Sequence, residues 1–203
     1  MIDFRKYIKT TTSGDRPAFI KRWGLFLLLF TAFNVLLFAQ TKAHAGNSNP
    51  REYEIKMAFI YNFAKYVTWP EKTFVDKNEP LVLCILGHNP FSKHSKKIEG
   101  KLVHKHKLKI RTISDFQKIN ECHLLYISPS ESEKIDEIQS FLKSKSILTI
   151  SDMDNFTNIG GMIELIVQDG KIRFIINPKA AEQAGLEISS QLLKLAIIAK
   201  QEQ

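Results

Sequence analysis

The residues most able to do chemistry are few, and each has to be weighed against a plainer role. His104 and His106 stand two apart and would share a face of an extended strand, as two imidazoles ligating zinc or copper would. Lys101, Lys105, Lys107 and Lys109 surround them, and no carboxylate or cysteine falls at ligand spacing, so a solvated edge is the reading and no metal is assigned. Asp152 and Asp154 could be an acid and base pair, but nothing supplies a nucleophile or an oxyanion donor, and turn or cap roles follow. Gly160-Gly161 lacks the spacing of a phosphate loop and leads into a strand, so backbone freedom is the reading there. No catalytic residue and no cofactor is assigned.

The elements that would position these groups begin with an amphipathic helix over 51–67, with Ile55, Phe59, Phe63 and Val67 four apart and Trp69-Pro70 ending it. A continuous apolar run at 81–86 reads as a strand buried on both faces, followed by a helix with Asn89 as cap and Pro90 at its first position. Strands at 108–113, 122–127 and 147–150 alternate with helices near 115–119 and after Ser128, where Ser128-Pro129-Ser130-Glu131 fits a capping box. Asp169-Gly170 joins 162–168 to 171–176 as a hairpin. Its two-residue turn sets Val167 against Ile172, Leu165 against Phe174 and Ile163 against Ile176, with Met162, Glu164, Ile166, Arg173 and Ile175 on the other face. Asn177-Pro178 opens a further helix, and Ser189 caps a last one that turns Leu192, Leu193, Ala196 and Ile197 inward. The expected fold is α/β: a Rossmann-like or flavodoxin-like, mostly parallel sheet flanked by helices, with a carboxy-terminal antiparallel hairpin.

In such a sheet, ligands settle beyond the strand carboxyl ends. That rim would hold Gly87, His88, Asn89, Ser128, Ser130, Ser151 and Asp152, where helix-start amides could take a small polar or anionic ligand, plain capping being the alternative. A second candidate surface collects surplus apolar residues suited to a protein partner: Met57, Tyr61, Tyr66 and Trp69 on the first helix, Met162, Ile166 and Ile175 on the hairpin. Ordinary core packing is the alternative for each.

Residues 1–45 have the chemistry of an export signal. Arg5, Lys6, Lys9, Arg16, Lys21 and Arg22 precede an apolar run over 23–39 and then Ala43-His44-Ala45, which predicts cleavage after Ala45; an uncleaved inner-membrane anchor facing the periplasm is the alternative. A short leader at 46–50 and one domain at 51–203 follow. The formal charge of +8 is concentrated in the signal, which carries seven Lys/Arg against two Asp/Glu and leaves 22 against 19, so nucleic acid is not the partner that composition implies. Cys84 and Cys122 would then meet an oxidising compartment; one disulfide is the reading, two buried thiols the alternative.

Three stretches resemble the YfiR family: Phe59-Ile60-Tyr61-Asn62-Phe63-Ala64-Lys65-Tyr66-Val67-Thr68-Trp69-Pro70; Leu83-Cys84-Ile85-Leu86-Gly87 with Asn89-Pro90-Phe91; and the carboxy-terminal third. In that third, Gly160-Gly161-Met162-Ile163, Lys171-Ile172-Arg173-Phe174, Asn177, Ala184-Gly185-Leu186 and Ile188-Ser189-Ser190-Gln191-Leu192 keep the family's order. The resemblance implies a periplasmic, non-enzymatic protein that binds the periplasmic part of an inner-membrane diguanylate cyclase, or another membrane signalling protein, and represses it. Cyclic di-GMP and biofilm formation would fall as a result. A homodimer and a small ligand stay open. The resemblance also places a cysteine pair at Cys84 and Cys122, and this chain lacks the second pair of some relatives. By the same resemblance Ile175 stands where many relatives are acidic; if that position meets the partner, the partner differs here.

Overall fold

A computed structural model of the chain describes residues 50–76 and 78–199. The signal expected over 1–45, and the leader up to residue 49, lie outside the described residues.

Helix α1 (Pro50–Lys65) buries Met57, Ile60, Phe63 and Ala64, and Val67 just beyond it, while Ile55 is 39% exposed. The buried stripe is thus turned from the one expected through Ile55 and Phe59. Two apolar stripes overlap on this helix, and the phase is set by Lys56, which must face inward to reach a buried carboxylate described below.

The strands that follow are β1 (Val67–Thr68), β2 (Leu81–Leu86), β3 (Leu102–Val103), β4 (His106–Ile113), β5 (Leu124–Ile127), β6 (Leu148–Ser151), β7 (Ile163–Gln168), β8 (Lys171–Ile176), β9 (Glu187–Ile188) and β10 (Ile197–Ile198). Eight of them form one sheet in the order β10-β8-β7-β6-β5-β2-β4-β3, and β1 pairs with β9 apart from it. The five neighbours β4, β2, β5, β6 and β7 run parallel. The pairs β7/β8 and β3/β4 are antiparallel. The architecture is α/β with a mixed sheet.

Both faces of that sheet are covered, which is why β2 reads as an unbroken apolar run. Leu81, Leu83 and Ile85 join Leu124, Tyr126, Leu148 and Ile150 in a core under α1. Val82, Cys84 and Leu86 join Leu125 and Ile127 in a second core, with Ile138 and Leu142 of helix α2 (Ile135–Leu142).

The hairpin has the expected register, Val167 opposite Ile172, Leu165 opposite Phe174 and Ile163 opposite Ile176. Asp169 and Gly170 both take positive φ, 51° and 68°, the conformation a type I′ turn demands. Asn177 caps helix α3 (Pro178–Gln183), accepting from the Ala180 amide at 3.1 Å.

Three local expectations are corrected. No α-helix starts at Pro90: Asn89 Oδ1 accepts from Phe91 N–H at 2.9 Å, and the fully buried Phe91 ring then draws the chain into turns and a 3₁₀ segment, Ser95–Lys97. Ser128 caps a 3₁₀ segment, Pro129–Lys134, but its own amide donates to Leu86 O, so the box with Glu131 is not closed. The last helix, α4 (Ser190–Leu193), is a single turn; the chain then leaves the core, and Ile197, 44% exposed, pairs with Ile175 at the sheet edge.

Candidate functional site

The rim beyond the parallel strands is where the expected crevice residues stand, after the ends of β2, β5 and β6. Their polar groups are turned on one another. Ser130 Oγ accepts from His88 N–H at 3.0 Å, and Ser128 Oγ accepts from Ser130 N–H at 3.3 Å. Ser151 Oγ donates to Ile127 O at 2.7 Å and accepts from Met153 N–H at 3.0 Å. Asn89 Nδ2 donates to Thr112 Oγ1 at 2.7 Å. Gly87 takes φ +83° beside the Ser130 and Glu131 side chains.

Asp152 is the centre of this rim and is more than the turn residue expected. Its Oδ2 accepts from Lys56 Nζ at 2.6 Å and from Tyr53 Oη at 3.1 Å, and its Oδ1 accepts from the Tyr126 hydroxyl. The Lys56 and Asp152 side chains are only 4% and 5% exposed, and Glu52 closes on Lys56 at 2.6 Å. Phe91 stands edge-on to both Tyr126 and Tyr53, at 4.7 and 5.5 Å between centroids. Burial first, and the Asp152 carboxylate second, push both tyrosines well above the ordinary phenol range. With both carboxylate oxygens occupied by donors from α1 and β5, the cluster has the chemistry of a lock. The pattern carried one signal of it: Lys56 is a lone cation on the buried side of an apolar helix.

The expected docking residues divide. Met57, Trp69 and Met162 are core, at 1%, 7% and 7% exposure, and Trp69 Nε1 donates to His123 O. Tyr61 is half-buried; its hydroxyl donates to Leu102 O at 3.1 Å and Lys65 Nζ sits 4.3 Å from its ring centroid. Tyr66 is exposed. Ile166 and Ile175 are half-buried on the hairpin, Ile166 opposite Arg173, and Ile175 between Glu164 on β7 and Ile197 on β10. Glu164, a buried carboxylate on the same strand as Ile166, accepts from the Asn155 and Thr157 amides and the Thr157 hydroxyl.

Cys84 and Cys122 form a disulfide, Cα atoms 5.8 Å apart, joining β2 to the residue pair before β5 within the second core. The two candidate metal-binding histidines do not share a strand face. His104, at φ +53°, lies in the β3–β4 turn with Nε2 at Val67 O, whereas His106 opens β4 with Nδ1 2.6 Å from Glu79 O. Among the described residues no group of three His, Cys, Asp or Glu side chains could hold a metal ion.

None of the described helices is long and apolar enough to cross a membrane. Residues 53–197 match a family model described as YfiR/HmsC-like. No curated protein matches the chain.

Proposed function

The chain belongs to the YfiR/HmsC-like family, and from that premise we propose that it is a periplasmic regulator that represses an inner-membrane diguanylate cyclase by binding the cyclase's periplasmic part. Cyclic di-GMP, and with it biofilm formation, falls when the complex forms. The family match over 53–197 is the observation that carries this reading.

The site geometry supports regulation by contact over catalysis. At the rim the polar groups satisfy one another, while Ile166, Ile175 and Ile197 leave an apolar strip on the hairpin and its edge strand. Such a strip, bordered by Arg173, suits a protein anchor. A domain docked there represses by binding the inactive conformation of its partner more tightly than the active one. The order β4-β2-β5-β6-β7 supports reading the parallel part of the sheet as flavodoxin-like.

Deleting the protein in its host tests this. Cyclic di-GMP and surface attachment should rise and return to their original level on complementation; an unchanged level in a strain that retains the cyclase overturns repression.

A further inference from the structure

His123, the residue immediately before β5, is held through both its backbone and its ring. It is 6% exposed, its backbone N–H donates to Val82 O and its carbonyl accepts from Leu148 N–H, both at 2.9 Å. Its ring is fixed as firmly. Val82 N–H donates to His123 Nδ1 at 3.0 Å. The ring stacks on Phe74 at 4.6 Å between centroids and 7° between planes, and Phe74 stacks on His106 at 3.9 Å.

The Val82 bond settles the tautomer. A backbone amide can only donate, so Nδ1 is a bare acceptor and the proton of the neutral ring sits on Nε2. No acceptor within the described residues takes that proton, and His123 lines a cavity of about 310 Å³ at the amino-terminal ends of β5 and β6. Burial, the largest influence on the ring, holds its pKa below the usual histidine value, with Glu79 opposing and His106 assisting. The ring therefore offers a neutral, oriented N–H donor.

Charge in the same cavity favours an anion. Lys72 and Lys145 line it together with Glu79 and Glu121. Glu121 is neutralised by Arg111, and Glu79, whose charge is felt at the His123 ring, has its Oε2 held by Val75 N–H at 2.9 Å, so Lys72 and Lys145 together outweigh the single acid left without a cation. Lys72 is exposed on its short turn, and Lys145 rests over the Phe141 ring at 4.6 Å, a contact weak enough at a surface to be exchanged for an ion.

We propose that this cavity is a binding site for a small anion carrying a phosphate or carboxylate oxygen, with His123 Nε2–H as the fixed donor and Lys72 and Lys145 as the neutralising charge. The site lies at the opposite end of the parallel strands from the Asp152 lock and does not depend on the repressor reading. Preorganisation distinguishes it from a chance pair of surface lysines: the donor's direction is set by Val82, Phe74 and the backbone before any ligand arrives.

The test follows the His123 side-chain nitrogens by NMR in the purified, nitrogen-15-labelled chain near neutral pH. Inorganic phosphate, acetate and chloride are titrated in turn at constant ionic strength. Saturable shifts of His123 Nε2 with phosphate alone assign a phosphoryl group, and with acetate alone a carboxylate. His123→Asn keeps an acceptor for Val82 N–H but leaves no donor at the Nε2 position, because its shorter side chain carries its N–H near the place of the ring's Cδ2; it should weaken binding about tenfold or more, the measure of one charge-assisted hydrogen bond. Lys72→Ala, an exposed change that leaves the fold alone, should weaken it severalfold. Phosphate and acetate shifting His123 no further than chloride, or undiminished binding in Lys72→Ala, overturns the site.

Discussion

Lys56 and Asp152, 96 residues apart in sequence, meet at 2.6 Å with almost no access to water. The contact ties the first helix to the carboxyl end of β6 and fixes which of two apolar stripes the helix buries. A buried pair of this kind is costly to break from one side, because the survivor keeps its charge in a poor solvent.

Lys56→Met and Asp152→Asn should therefore each destabilise the fold by about 3–5 kcal/mol. The methionine preserves most of the apolar stem of Lys56, so lost packing does not account for the effect. The double variant should lose distinctly less than the two single losses together, since the buried carboxylate leaves with its cation and only the more exposed Glu52 loses a partner. Urea unfolding of the four proteins checks this; simple additivity would show that the two groups are not coupled.

A second prediction concerns pH. The folded-state pKa of His123 is held below its ordinary 6.5, so below that pH the unfolded chain takes a proton that the folded ring refuses. Stability is full above about 6.5, declines as pH falls from there to the depressed folded value, and levels off beneath it. His123→Asn removes this group and should flatten that part of the profile relative to the parent. Thermal midpoints across the acid range read the difference, and parallel profiles would refute it.

What the sequence pattern made legible was local. The alternation around Asp169-Gly170 dictates hairpin register because the side-chain period is two, and the unbroken apolar run of β2 announces burial on both faces. The missed features depend on distant partners. Phe91 is pulled inward by Tyr53 and Tyr126 where a cap and proline suggested a helix. Ile197 leaves its helix because the free edge of β8 offers hydrogen bonds. Lys56 passes locally for one more charge beside Glu52 and Glu54, and nothing near it in sequence names Asp152 as its partner.

Gly161 shows how a residue without chemistry can be indispensable. A Cβ there would collide with the ring of the fully buried Phe156. Gly161→Ala should cost about 1–3 kcal/mol through overpacking. Phe156→Leu in the same chain should recover part of the loss by making room, and a double variant no more stable than Gly161→Ala would locate the strain elsewhere.

The disulfide spans a sequence separation of 38. Closing a loop of that order stabilises a chain by about 2–4 kcal/mol, largely through the unfolded state. Cys84→Ser and Cys122→Ser should each lower the thermal midpoint and the yield from the periplasm, and the double variant should resemble either single. Protein drawn from the envelope that alkylates freely at both thiols without reductant would remove the bond from the account.

The docking surface proposed on the hairpin can be tested without disturbing the fold, because register names the neighbours of each position. Ile175 faces Glu164 across the hairpin and Ile166 faces Arg173. Ile175→Lys and Ile166→Glu therefore place each new charge opposite one of the other sign, the arrangement a sheet tolerates best. Both positions are only half-buried, so the thermal midpoint should move little. The apolar strip beside Ile197 would nevertheless be broken by a charge that a dry interface cannot solvate, and a central anchor is worth about 2 kcal/mol or more. Capture of the cyclase's periplasmic domain by these variants should weaken about tenfold or more, and cells carrying them should show the raised cyclic di-GMP of the deletion strain. Folded variants that capture and repress like the parent would move the interface away from the hairpin, towards Tyr61 on the first helix and Tyr66 just beyond it.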